Sequence, residues 1–231
     1  MKTLGMIGGV GPESTIDYYS SIIATYRRLK PDGSYPQFFI NSIDLDKGRS
    51  LISSGNLPGI AQYLVQEIHN LARAGAEVGL IAANTPHLVF DEVQRQSPIP
   101  LISIVEATAA VAKRMNLKRA GLFATTFTIK AGFYPKIFAK YGIDVVSPAA
   151  SDQDFIHDKY MNELVEGVFR DETRNGLLAI VDKMAAEHGI DAVILGGTEI
   201  PLILRDEAHN GIPLLNTTKI HVAAAVAEML S

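Results

Sequence analysis

Short apolar runs alternate with longer amphipathic stretches along the whole chain, which is the pattern left by βαβ units and a mostly parallel sheet. This pattern predicts strands over 3–8, 37–42, 77–83 and 100–104 in the first half, then over 119–124, 143–147, 191–196 and 213–215 in the second. Between them it predicts helices over 13–29, 57–74, 106–115, 129–141, 152–169, 171–187 and 217–230. The segment KPDGSYP (30–36) reads as a polar turn.

The same pattern is written twice. LARAGAEVGLIAANT (71–85) aligns with AAEHGIDAVILGGTE (185–199) without a gap, so that Gly75 answers Gly189, Ala83 answers Gly197 and Thr85 answers Glu199. KTLGMIGG (2–9) runs against KRAGLFAT (118–125), with Gly5 over Gly121, and IPLIS (99–103) returns as IPLLN (212–216). Three matched segments in one order indicate two related α/β halves.

With 231 residues and 47% hydrophobic content, the chain is able to bury a sizeable core. Its formal net charge of −4 is too mild to imply a nucleic-acid partner or an anionic membrane surface. Met1 leads straight into LGMIGG without the basic start and cleavage site of a signal peptide, and no apolar run approaches about 18 residues. A soluble, cytoplasmic protein is expected. The count of zero cysteines excludes disulfides, thiolate metal sites and cysteine nucleophiles.

Parallel sheets gather ligands at the carboxyl ends of their strands, where following helices point their N-termini. In the first half those positions hold Gly8-Gly9-Val10-Gly11-Pro12-Glu13-Ser14, Asn41-Ser42 and Ala82-Ala83-Asn84-Thr85-Pro86-His87. In the second half they hold Ala124-Thr125-Thr126-Phe127-Thr128 and Gly196-Gly197-Thr198-Glu199. Small residues and hydroxyls would leave backbone amides facing an anion. The glycine loop is neither a dinucleotide fingerprint, since Ser14 stands at the third glycine, nor a phosphate loop, since no Gly-Lys-Ser/Thr follows. It reads either as a tight turn with Pro12 at a helix start or as a carboxylate-binding loop.

KTLGMIGGVGPEST, AANTPH, ATTFT and LGGTE, in that order over nearly the whole chain, resemble the cofactor-independent aspartate/glutamate racemase family, in its aspartate and broader amino-acid racemase branch. The resemblance implies two similar α/β domains facing across a cleft, with the last helix returning to the first. The expected domains are 1–100 plus 216–231, and 101–215. It also implies no cofactor, neither pyridoxal phosphate nor metal, a small amino acid or dicarboxylate as the bound molecule, and a homodimer.

In that family one cysteine precedes the Asn-Thr of the first motif and another precedes the Thr-Glu of the second, and these thiols exchange the α-proton. The corresponding positions here are Ala83 and Gly197. A racemase takes a proton from one face of a planar intermediate and returns one to the other, so it needs two proton-handling groups. Neither of these two side chains titrates. Three accounts remain open: a racemase using neighbouring groups, other chemistry on a small carboxylate, or binding without turnover.

For the first account the candidate catalytic residues are Thr85 and His87 on one side and Thr198 and Glu199 on the other. Candidate substrate-binding residues are Val10, Arg49, Asn84, Thr125, Thr126 and Thr128. Asn84 and the threonines also suit helix capping, and Glu199 suits a helix start. Arg49 falls where aspartate racemases place a carboxylate-binding arginine, with Lys47 competing. Those enzymes carry a lysine near EGV (166–168), where this chain has Phe169 and Arg170. His221 reads as a packing residue of the final helix.

Overall fold

The computed structural model describes residues 1–231. The chain forms two compact units, Met1–Ile104 with His221–Ser231, and Val105–Ile220.

The first unit runs β1 (Leu4–Gly8), α1 (Pro12–Leu29), β2 (Phe38–Ser42), α2 (Leu45–Ser53), α3 (Leu57–Ala74) and β3 (Val78–Ile81). A 3-10 turn at Thr85–Val89, α4 (Phe90–Gln96) and β4 (Leu101–Ile102) follow. The second unit continues with α5 (Ile104–Arg114), β5 (Arg119–Phe123), α6 (Thr126–Ala131), α7 (Phe133–Ala139), β6 (Asp144–Val146) and α8 (Ala150–Lys159). Then come a π-helical turn at Tyr160–Leu164, α9 (Asp171–His188), β7 (Ala192–Leu195), α10 (Ile200–Ile203), β8 (Ala208–His209) and β9 (Ile212–Asn216), and α11 (Thr217–Leu230) belongs to the first unit from His221 onward.

The first sheet has the order β2-β1-β3-β4 and is parallel throughout. The second has the order β6-β5-β7-β9, again parallel, with β8 added antiparallel at its edge. The duplication seen in the sequence holds at the level of strand register. Gly5 pairs with Gly79, and their counterparts Gly121 and Val193 pair in turn. Leu80 pairs with Ile102, and their counterparts Ile194 and Leu215 do the same. Central strands β1, β3 and β7 are buried along their whole length, as expected for parallel strands covered on both faces.

Helix α3 and the residues after it pack Ile60, Leu64, Ile68 and Leu71 onto one side of the first sheet. On its other side Tyr18, Ile22 and Tyr26 of α1 meet Val222, Ala225, Val226 and Met229 of α11. In the second unit Leu177, Ile180, Val181 and Met184 of α9 close on Val193 and Leu195. No helix is long and apolar enough to cross a membrane.

Several elements differ from the sequence expectation for local reasons. Helix α2 has few apolar residues to announce it; Asp44 starts it by accepting from the Asp46 and Lys47 amides. The single helix expected over 129–141 is two, because Gly132 takes a left-handed conformation (φ 68°) between α6 and α7. Asn210 and Gly211, both at positive φ, form the two-residue turn that joins β8 to β9, a hairpin absent from the expected elements. Residues 101–104, expected in the second domain, belong to the first unit, because β4 pairs with β3.

Replacing Asp44 with alanine removes the acceptor for two amides at the start of α2. A loss of about 0.5–2 kcal/mol is expected, read as a lower midpoint in urea unfolding with the slope unchanged.

Candidate functional site

In the first unit the carboxyl end of β1 turns sharply at Gly9 (φ 77°), where an added Cβ would lie 2.6 Å from the Ile43 carbonyl oxygen. The Gly9 N–H donates to the Thr15 hydroxyl at 2.9 Å, and that hydroxyl donates to the Gly11 carbonyl at 2.9 Å. Pro12 is the first residue of α1. One amide expected to face an anion is therefore already bonded inside the loop. Val10 is half-buried beside it.

Beyond β3, Ala83 and Asn84 are buried and Thr85 opens the 3-10 turn. The Asn84 carbonyl accepts from the His87 amide at 2.9 Å, but its side chain does not cap the turn, so the capping role does not apply to it. His87 is buried and both of its ring nitrogens have backbone partners. Nδ1 lies 2.9 Å from the Ala83 carbonyl and Nε2 accepts from the Ile104 N–H at 3.2 Å. An imidazole in that arrangement is neutral, with its proton on Nδ1. Its ring stacks on Phe90 at 4.9 Å between centroids. Burial, with the neighbouring His221 adding to it, lowers the His87 pKa from 6.5 to about 3. The geometry speaks against the expected catalytic role, because neither a lone pair nor a mobile proton remains to meet a substrate. His221 is a packing residue of the same kind. Its Nδ1 contacts the Tyr18 hydroxyl at 2.8 Å, its Nε2 the Ile102 carbonyl at 2.9 Å, and burial lowers its pKa to about 4.

Helix α2 carries the two competing cations. Lys47 places its ammonium 4.0 Å from the centroid of Tyr63, a cation–π contact. Arg49 is half-buried, and its guanidinium makes no hydrogen bond or ion pair. Lys47 thus presents an ammonium held against a ring, and Arg49 a planar fork of donors.

In the second unit Thr125 ends the β5 loop and caps α6. Its Oγ1 accepts from the Thr128 amide at 3.3 Å and lies 3.2 Å from the Thr128 hydroxyl. The Thr126 amide donates to Nδ1 of His157 at 3.4 Å. Two amides expected to face an anion thus have protein partners, and Thr125 and Thr128 are buried while Thr126 is half-buried.

Beyond β7, Gly196 packs on β5, where a Cβ would lie 2.8 Å from Leu122 Cδ1 and 3.0 Å from the Phe123 carbonyl oxygen. Thr198 and Glu199 follow, each 1% exposed. Glu199 Oε2 accepts from the Thr198 hydroxyl at 3.0 Å and from the Tyr160 hydroxyl in a short contact. Hydroxyl donors of this kind are what allow a carboxylate to be buried. Tyr160 also accounts for the glycine next door, since a Cβ on Gly197 would lie 2.4 Å from its Cε2 and 3.2 Å from its Cδ2 and Cζ.

Tyr160 is the residue that sequence reasoning missed. It sits in the middle of what reads as one long helix, and its hydroxyl meets a residue 39 positions later. The usable signal was the pair Gly196-Gly197: two glycines where a side chain is expected mark a space that another residue fills. Phe169 and Arg170 instead line a separate surface cavity of about 350 Å³ with Arg174, Arg205 and Asp206.

The profile of the Asp/Glu/hydantoin racemase family matches residues 7–225. The broad-specificity amino-acid racemase RacX of Bacillus subtilis is 22% identical over 99% of this chain and 98% of its own. Among solved structures, a candidate Asp/Glu racemase from Yersinia pestis superposes with a TM-score of 0.89 at 31% identity over 100% of both chains. An aspartate racemase homologue from Pyrococcus horikoshii does so at 0.84 and 31%, again over 100% of both.

The two buried histidines make a stability prediction. Their folded pKa values lie below the unfolded value of about 6.5, so between about pH 6.5 and 4 the unfolded chain binds more protons and stability falls as pH falls. The expected slope is up to about 1.4 kcal/mol per pH unit for each histidine, and none above about pH 7.5. Urea unfolding at pH 7, 6 and 5 measures it, and His87→Gln should flatten the slope; an unchanged slope counts against the assignment.

Proposed function

Because the chain belongs to the Asp/Glu/hydantoin racemase family, we propose that it is an amino-acid racemase. In this reading it acts in the cytoplasm by proton transfer at the α-carbon of a small acidic amino acid, without pyridoxal phosphate or metal. The observation that carries the reading is the recurrence of the family's motifs at matching strand ends of two duplicated sheets. Asn84-Thr85 follows β3, Thr198-Glu199 follows its counterpart β7, and Thr125 to Thr128 follow β5.

In this reading Asn84, Thr85, Val10, Thr125, Thr126 and Thr128 bind the amino acid through hydroxyl, amide and backbone groups. Arg49 supplies the cation for a side-chain carboxylate, since its guanidinium has five donors in a fork that matches two oxygens. Thr198 and Glu199 form the polar end of the second unit. The protonation chemistry does not pass through His87, whose neutral ring is held by two backbone groups.

Incubation in D₂O with L- and D-aspartate, L- and D-glutamate and a panel of neutral amino acids tests the reading by NMR. Deuterium should enter at the α-carbon with inversion, and most rapidly for an acidic substrate. Binding of aspartate or glutamate without exchange would sink the turnover claim and leave a binding protein. Arg49→Ala should raise KM for the acidic substrates roughly 10–100-fold, the worth of a charged hydrogen bond, with kcat little changed. The reading also carries a homodimer, which light scattering at micromolar concentration should show; a monomer there would remove it.

A further inference from the structure

We infer that the Tyr160 hydroxyl, backed by Glu199, is the proton carrier of the second unit, standing in the space that Gly197 leaves open. The inference rests on the racemase reading, since a proton carrier has work only if the α-proton moves.

Three observations lead to it. First, the Tyr160 ring and any side chain at position 197 exclude one another, because an added Cβ would sit 2.4 Å from Cε2. The glycine is therefore not a simple loss of a reactive group; an aromatic ring with an ionisable hydroxyl has taken its place. Second, the ring is half-buried while Glu199 is 1% exposed, so the phenol stands on the more accessible side of the pair and the carboxylate behind it. The hydroxyl donates to Glu199 Oε2, and Thr198 donates to the same oxygen at 3.0 Å. Third, Tyr160 opens the π-helical turn, where the Val165 N–H donates to its carbonyl at 3.1 Å. The turn ends α8, with no further helix before α9, and it sets the direction in which the Tyr160 side chain leaves the helix end. This one is braced: Lys159 Nζ contacts Glu163 Oε1 at 2.7 Å and the Thr173 hydroxyl donates to Glu163 Oε2.

The step is a relay. As the substrate Cα–H bond breaks, its proton passes to the Tyr160 oxygen while the phenolic proton moves to Glu199 Oε2. The electron pair of the broken bond stays on the α-carbon and delocalises into the substrate carboxylate. Run in reverse, the same path returns a proton to this one face and restores Glu199 to its carboxylate form; inversion requires a second donor on the opposite face, so the pair accounts for one of the two proton transfers of a racemase. Neither side chain alone suffices, since the phenol requires an acceptor for its own proton and the buried carboxylate requires a group that reaches outward.

The test is α-proton exchange in D₂O by the full chain with the best substrate of the panel, comparing the unaltered protein with Tyr160→Phe, Glu199→Gln, their double variant and Gly197→Ala. Circular dichroism confirms that each is folded. Tyr160→Phe keeps the ring and should lower kcat for exchange about 10²–10⁴-fold, as for a positioned acid or base, with KM within about threefold. Glu199→Gln should do the same, and the double variant should be no worse than either single one, because the two act as a unit. Gly197→Ala removes no reactive group yet should lower kcat on the same scale, because its methyl displaces the ring. Exchange by Tyr160→Phe within about threefold of the unaltered protein, or a loss confined to KM, overturns the carrier while leaving the racemase reading standing. Absence of exchange in the unaltered protein overturns both.

Discussion

Both units depend on one close approach, in which the segment returning from a helix to the sheet packs directly on a glycine of the neighbouring strand. An added Cβ at Gly5 would lie 2.8 Å from Ala76 Cβ and 3.1 Å from Leu71 Cβ. At Gly121 it would lie 3.1 Å from Ile190 Cδ1 and from Met184 Cε. Ala76 and Ile190 are counterparts in the repeat, so the same contact is made twice with different side chains. Close packing leaves no room to slide one strand along the next without creating a void or a clash. The pairing of β1 with β3, and of β5 with β7, is thereby fixed, and with it the level at which each candidate motif leaves its sheet.

Equivalent positions have then been filled with different chemistry. The end of β3 is a neutral, well-bonded place: an alanine where a reactive side chain is expected, and an imidazole whose nitrogens both serve backbone groups. The end of β7 keeps an ionisable pair, a carboxylate and a phenol, packed around two glycines. A duplicated scaffold supplies matching sites, but the packing around each decides whether a titratable group there is available or locked.

Most of the architecture was legible in the sequence because buried parallel strands leave uninterrupted apolar runs, and all eight expected strands are present within one or two residues. Helices with broad apolar faces, α1, α3 and α9, were equally plain. What escaped notice depends on single residues or on distant contacts. Helix α2 hangs on the Asp44 cap, and the break between α6 and α7 on Gly132. The motifs at the strand ends were readable as places, though not as geometry. That His87 turns its ring into the backbone, and that Tyr160 reaches Glu199, follow from tertiary packing that no local pattern encodes.

The closing helix has a consequence for the order in which the molecule is made. The first unit takes residues from both ends of the chain: Leu4, Met6, Tyr18, Ile22 and Tyr26 share a cluster with Val222, Ala225, Val226 and Met229, and the Lys2 amide donates to the Met229 carbonyl. Val105–Ile220 is by contrast one uninterrupted stretch. On the ribosome, where N-terminal segments emerge first, the earliest-made strands must wait with an apolar face uncovered while the intervening unit is synthesised and closes on itself. Of the two units, the one begun first is the one completed last.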